Sequence, residues 1–67
     1  MDMKNLKGKF WTTEHDMIEE FEEFGYDVLD ITYEYVEVMH IDERMEDEPE
    51  TLTIPLIRVK NTIALDL

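Results

Sequence analysis

The 67-residue chain contains no cysteine and no serine, and it has only two glycines and two prolines. Without cysteine it can form no disulfide, zinc–thiolate site or thiol nucleophile, which fits a reducing compartment and predicts a cytoplasmic protein. The threonines lie beside no base that could activate a hydroxyl group, and two glycines cannot build a phosphate-binding loop. We therefore expect no nucleotide, no other cofactor and no enzymatic activity.

Long apolar runs are missing as well. The longest are two or three residues, whereas a membrane-spanning helix needs about 20, and the N-terminus lacks the apolar segment of a signal peptide. A hydrophobic fraction of 43%, with one tryptophan, three phenylalanines and three tyrosines, is typical of a folded domain rather than a disordered acidic tail. The length predicts one domain, residues 1–67, near the lower limit at which burial alone offsets chain entropy.

Basic residues are scarce where acidic residues are dense. Of the 18 acidic residues, 16 lie between Glu14 and Glu50, where Arg44 is the only lysine or arginine, so this stretch carries −15. Such a field repels nucleic acid and anionic membrane and attracts cationic surfaces. The one cluster of bases with aromatic residues, at 7–11 (KGKFW), is small beside it. We expect no direct binding to nucleic acid or membrane.

One amphipathic helix is predicted over residues 13–24. Thr12 and Thr13 are candidate caps, Asp16 stands at the capping-box position after Thr13, and Gly25 supplies a left-handed stop. The apolar residues of this segment recur at helical spacing and form one stripe; they are Met17, Ile18, Phe21 and Phe24.

Residues 26–41 alternate with a period of two, which predicts one long strand. One face would carry Leu29, Ile31, Tyr33, Tyr35, Met39 and Ile41, and the other would carry Asp30, Thr32, Glu34, Val36, Val38, His40 and Asp42. Glu37 interrupts the first face, either as a β-bulge or as an inward charge, and a bulge is the favoured interpretation.

The remaining segments complete a small antiparallel sheet. Residues 42–50 (DERMEDEPE) lack periodicity and predict a loop, after which residues 52–56 alternate on a return strand. Pro55 cannot donate to a ladder, so we expect that strand at an edge or a bulge. A turn at 60–62 precedes a short last strand, and residues 1–11 predict a short edge strand. The expected fold class is α+β, with order β-α-β-β-β and three to four strands beneath one helix.

The sheet face away from the helix is predicted to be partly apolar. Val36, Val38, Ile57 and Val59 would lie there with no second helix to cover them. Either this face is solvated, or a second copy of the chain covers it as a two-fold homodimer.

Two histidine–acid pairs are the candidates for a metal site. His15 and Glu19 are four apart on the predicted helix, and His40 and Asp42 are two apart on the long strand. Each pair could give zinc two ligands if helix and strand brought them together. Chance proximity is the favoured interpretation in so acidic a chain, and we assign no metal.

The acidic residues break the rules for a stable surface helix. Asp16 with Glu20 and Glu19 with Glu23 are like charges at i,i+4, and Glu22 and Glu23 lie at the negative end of the helix dipole. Such violations tend to mark function. Side chains three or four apart lie about 5 to 6 Å from one another, similar to the charge spacing of a nucleic-acid backbone. The predicted partner-binding residues are Asp16, Glu19, Glu20, Glu22, Glu23, Asp27, Asp30, Glu34, Glu46, Asp47 and Glu48.

In size, acidity and organisation the chain resembles the nucleic-acid-mimic inhibitors that bacteriophages carry against host nucleases, defence complexes or polymerases. The resemblance is one of type rather than of a sequence motif. It implies a non-enzymatic protein that blocks the basic site of a nucleic-acid-binding protein. The alternative is a small homo-oligomeric structural or regulatory domain whose acidity only keeps it soluble.

Overall fold

A computed structural model describes residues 3–43 and 47–67, and it shows one helix against a curled five-stranded antiparallel sheet. The α+β class is confirmed, but the sheet has five strands rather than three to four. The elements are β1 (Phe10–Trp11), α1 (Glu14–Glu23), β2 (Tyr26–Ile31), β3 (Tyr35–His40), β4 (Thr51–Val59) and β5 (Thr62–Leu65), with short 3-10 turns at Met3–Leu6 and Ile41–Glu43.

Helix α1 begins and ends where local signals predicted. The Thr13 side chain accepts a hydrogen bond from the Asp16 backbone N–H at 3.1 Å, which satisfies one of the free donors of the first turn. After the helix, Gly25 adopts a positive φ of 89°, the conformation that stops a helix without a Cβ clash. Met17 and Phe21 are fully buried. Within the described residues no helix is long and apolar enough to cross a membrane.

The predicted long strand over residues 26–41 is wrong, because a tight turn divides it into β2 and β3. The Thr32 N–H donates to the Tyr35 carbonyl at 2.8 Å. Its hydroxyl oxygen accepts from the backbone N–H groups of Glu34 and Tyr35 at 3.3 and 3.1 Å. The Thr32 hydroxyl thus stabilises this turn, and the segment contains none of the glycine, asparagine or proline residues from which a turn is usually predicted.

The β-bulge lies at Leu29 rather than at Glu37. The β2–β3 register shifts between Val28 and Asp30, and the extra residue reverses the alternation of faces. Across the β2–β3 hairpin Val28 lies opposite Val38 and Ile31 lies opposite Val36, and opposed residues share a face. Val36 and Val38 are fully buried, which contradicts their predicted place on an uncovered face. Tyr33, predicted to share the core-facing side, is 72% exposed in the turn.

Strand β4 lies inside the sheet and not at its edge. It pairs with β3 from Thr51 to Pro55 and with β5 from Leu56 to Val59. The Pro55 carbonyl accepts a hydrogen bond from the Asp66 N–H of the β5 side at 2.8 Å. In an antiparallel ladder the N–H and C=O of one residue point to the same side. The N–H that proline lacks would therefore face β5, just beyond the last paired residue, Leu56. Proline is tolerated because it stands where the strand changes neighbours.

The strand order β1-β5-β4-β3-β2 leaves β1 and β2 as the two edges, and α1 connects them. We call the sheet face that carries the core the inner face, and the opposite one the outer face. The edge-to-face aromatic pair Phe21–Tyr26, with ring centroids 6.2 Å apart, joins the helix to β2. The core consists of Leu6, Trp11, Met17, Phe21, Tyr26, Val36, Val38, Ile54, Ile63 and Leu65.

Candidate interaction surface

The six carboxylates of α1 fall into two groups according to what they contact. Glu14 and Glu20 stand on opposite flanks of the buried stripe, and each meets a basic side chain from a strand or its approach. The other four, which we call the helix acidic face, are exposed. They are Asp16, Glu19, Glu22 and Glu23.

Glu20 is bound to the fold through both carboxylate oxygens. The Trp11 indole N–H donates to one oxygen at 2.7 Å, and the Lys9 ammonium donates to the other. The same ammonium lies 5.5 Å from the centre of the Phe24 ring. The hydrogen bond from Lys9, followed by that from Trp11, lowers the pKa of Glu20 below its ordinary value of 4.5, because both stabilise the charged form.

A Glu20→Gln variant should lose stability in a pH-dependent way. Because the folded-state pKa is depressed, the ionised carboxylate stabilises the fold fully above pH 4.5, and this contribution is lost as the pH falls through the lower folded-state value. We expect the variant to melt below the wild type at pH 7 and the gap to close toward pH 3. The measurement is thermal unfolding across this range.

Glu22→Gln is the matched control, since it removes the same charge from the same helix at an exposed position. Its melting temperature should stay close to that of the wild type at every pH. A gap for Glu20→Gln that stays constant down to pH 3 would contradict the assigned ion pair.

Glu14 is held by Arg58, which ties three elements together. The Nη2 atom of Arg58 donates hydrogen bonds to the Glu14 carboxylate at 2.8 Å and to the Thr32 carbonyl at 3.0 Å. The Nε atom donates to the Tyr33 carbonyl at 2.9 Å. The guanidinium also lies 4.9 Å from the Tyr33 ring centre. Only 15% of the Arg58 side chain is exposed, so this arginine is part of the fold and not a free base.

The helix acidic face differs from Glu14 and Glu20 because no lysine or arginine in the described part of the chain neutralises it. Among the described residues, its only ion pair is the exposed one between His15 and Glu19, 2.8 Å apart, and an exposed pair of this kind contributes little. Asp16 also accepts a bond from the Thr12 hydroxyl at 3.5 Å. The face therefore presents nearly its full negative charge to solvent.

The acids beyond the helix lie on the sheet and its loops. Asp27 is half-buried on β2, Asp30 is exposed and lies opposite Glu37 of β3, and Glu34 is exposed in the β2–β3 turn. Opposed residues of an antiparallel pair share a face, so Asp30 and Glu37 place two like charges side by side on the outer face. Asp47 and Glu48 are exposed in the connection between β3 and β4, and Glu46 lies outside the described residues.

The predicted partner-binding residues therefore do not form one continuous surface. Glu20 points toward β1, and Asp30 lies on the outer face of the sheet, away from the helix. Glu37, which the sequence interpretation assigned to a bulge, joins the acids of the outer face. No local signal marked Glu37, since its face depends on how β3 pairs with β2 across the turn.

The structure does not combine the two histidine–acid pairs into one candidate metal site. His40 Nδ1 lies 3.7 Å from the Asp42 carboxylate, and the His40 ring packs edge-on against Tyr26 at 5.3 Å. Across the described parts of the chain, no group of three or more histidine, aspartate or glutamate side chains is placed to hold a metal ion.

No family model, curated protein or solved structure matches this chain.

Proposed function

We propose that this protein is a non-enzymatic inhibitor, of the kind that bacteriophages encode, which places its exposed carboxylates in the basic site of a nucleic-acid-binding protein. The partner would be a nuclease, a defence complex or a polymerase, met in the cytoplasm. The carboxylates would take the place of nucleic-acid phosphates in that site.

The observation that carries this proposal is the division of the helix acids. Arg58 and Lys9 neutralise Glu14 and Glu20, the two acids on the flanks of the buried stripe. Among the described residues, the four acids of the helix acidic face contact no lysine or arginine, and the one like-charge i,i+4 pair among them, Glu19–Glu23, destabilises the helix by a few tenths of a kcal/mol. A charge that the fold does not use and that lowers stability is accounted for if a partner uses it.

The outer-face acids extend the negative surface around edge strand β2. Asp30 is exposed on β2, the strand that directly follows the helix, and Glu34 is exposed in the β2–β3 turn. A basic groove that bound around strand β2 would contact the helix acidic face on one side and the outer-face carboxylates on the other. Complementary charge would mainly raise the association rate and suppress other partners.

The proposal is tested with the intact protein as bait for basic proteins of a candidate host. The captured protein should bind nucleic acid, and a competing duplex should displace it from the bait. It should also be released as salt rises from about 50 to 500 mM, because the Debye screening length falls from about 14 to 4 Å. The bait itself should shift no duplex in a gel at low salt.

Two outcomes would contradict the proposal. One is capture that a saturating duplex does not disturb, since the partner's nucleic-acid site would then be free. The other is tight binding of the bait to duplex DNA or RNA, because a phosphate-like surface cannot also attract phosphates.

A further inference from the structure

An apolar patch lies on the outer face of β1, β5 and β4, on the opposite side of the sheet from α1. Phe10, Ile57 and Val59 are 67%, 44% and 59% exposed. Phe10 of β1 and Ile57 of β4 both lie opposite Ala64 of β5, so Phe10, Ala64 and Ile57 form one row across three strands. Val59 lies beside this row on β4, on the same face. We call Phe10, Ile57, Val59 and Ala64 the outer apolar patch.

The patch lies on the two long segments of the chain that are free of acid, residues 3–13 and 51–65. Lys60 stands at the β4–β5 turn, at one end of the patch, and Asp66 follows β5 at the other end. Leu65 is buried, so alternation places Asp66 on the outer face, where it is exposed.

We infer that a second copy of this chain covers the outer apolar patch, with a two-fold axis that crosses the strands along the row of Phe10, Ala64 and Ile57. A two-fold interface brings residue i of one copy to residue j of the other, and j to i. This axis exchanges the two ends of the patch. Lys60 of each copy then faces Asp66 of the other, and the apolar rows meet in the middle.

Charge selects this axis over the alternative. A two-fold axis parallel to the strands would leave the ends of the patch unexchanged, so Lys60 would face Lys60 and Asp66 would face Asp66. Like charges placed opposite one another disfavour that arrangement. An acidic or strongly basic protein partner would match only one end of the patch, whereas a second copy matches both.

The association should be weak and should strengthen with salt. Three strands of outer face form a contact at the low end of interface sizes, typical of transient complexes. Each copy also carries −12, and salt screens the repulsion between two such charges. Binding of the helix acidic face to a basic partner has the opposite salt dependence, so the two interactions can fail independently.

Self-association would leave the proposed inhibitory surface open. Helix α1 packs on the inner face with the core, and the patch lies on the outer face. The two helix acidic faces of the dimer would therefore point away from the contact, and a dimer would present two copies of the acidic surface.

The first test is sedimentation equilibrium of the intact protein from about 10 to 500 μM, the range in which weak interfaces of this size associate, at low and high salt. We expect a monomer–dimer equilibrium that shifts toward dimer as salt rises. Phe10→Ser with Ile57→Ser should raise the dissociation constant at least tenfold. Leu29→Ser, an exposed leucine at the β2 bulge, should leave it unchanged, and circular dichroism should show all variants folded.

The second test exchanges the charges at the ends of the patch. Lys60→Asp and Asp66→Lys should each weaken association severalfold, and the double variant, whose net charge equals that of the wild type, should restore it. Asp66→Lys is the sharper single change, because it reduces the net repulsion and would strengthen association if only the total charge mattered.

A monomer throughout the concentration range at high salt would overturn the inference. So would a dimer that the double serine variant leaves intact, or one that Asp66→Lys strengthens. If the serine variant instead stays monomeric like the wild type but loses a captured partner, the patch is an interface for that partner and not for a second copy.

Discussion

Replacing Arg58 with alanine is expected to lower the free energy of unfolding by about 2 to 3 kcal/mol, since it removes charge-assisted hydrogen bonds from a mostly buried donor. The guanidinium holds the Thr32 and Tyr33 carbonyls of the β2–β3 turn and the Glu14 carboxylate of α1. For a 67-residue chain, with a total stability of roughly 3 to 10 kcal/mol by the usual value per residue, this is a large fraction. Denaturant unfolding at neutral pH measures it.

Lys60→Ala is the matched control for Arg58→Ala. It removes one positive charge two residues away, from an exposed side chain in the β4–β5 turn, and should change stability by less than about 0.5 kcal/mol, as surface substitutions do. Arg58→Lys should fall between the two, because an ammonium keeps the charge but cannot span the same acceptors in the fixed geometry of a guanidinium. Equal losses for Arg58→Ala and Lys60→Ala would show that charge alone, and not the contacts of Arg58, determines stability.

Replacing Glu19, Glu22 and Glu23 together with glutamine is expected to weaken binding to a basic partner at least tenfold at low salt, or by about 1.4 kcal/mol or more. The change removes three of the four charges of the helix acidic face and should act mainly on the association rate. The binding should also become less sensitive to salt. Stability should be kept or slightly raised, because the like-charge Glu19–Glu23 pair is relieved.

Glu20 is left unchanged in this variant because Lys9 and Trp11 bind its carboxylate. The matched control replaces Asp42, Glu50 and Asp66 with their amides, three exposed acids outside the helix acidic face. Because Asp66 lies at one end of the outer apolar patch, the affinities are measured below the concentration at which the chain self-associates. Both triple variants change the net charge from −12 to −9, so a difference between them reports on position and not on total charge. Equal affinities for the two variants, measured at two salt concentrations, would refute a role for the helix acidic face.

The helix was predictable because its signals are local. A cap at Thr13, a positive-φ stop at Gly25 and an apolar stripe at helical spacing lie within one short segment. The β3–β4 loop and the β4–β5 turn were predicted on the same basis. These features need no knowledge of what the chain packs against.

The division of residues 26–41 into two strands was not predictable from residue types. The turn depends on the Thr32 hydroxyl, and threonine is enriched in strands and favours such turns only weakly. The bulge at Leu29 then decides which residues of β2 face the core, because one extra residue reverses every side chain beyond it. Val36 and Val38 were assigned to the wrong face because residues 26–41 were treated as one continuous strand, whereas the hairpin places these valines opposite Ile31 and Val28.

The sequence by itself determined the charge of this protein, the helix that carries much of it, and the acid-free segment at 51–65. Only the tertiary structure decided which acids are free. Glu20 and Glu22 are the same residue type two positions apart on one helix, yet Lys9 and Trp11 approach the first and leave the second exposed. That difference arises because the pairing of β1 with β5 at the other end of the chain holds Lys9 and Trp11 beside one flank of the helix, and no local pattern encodes such an approach.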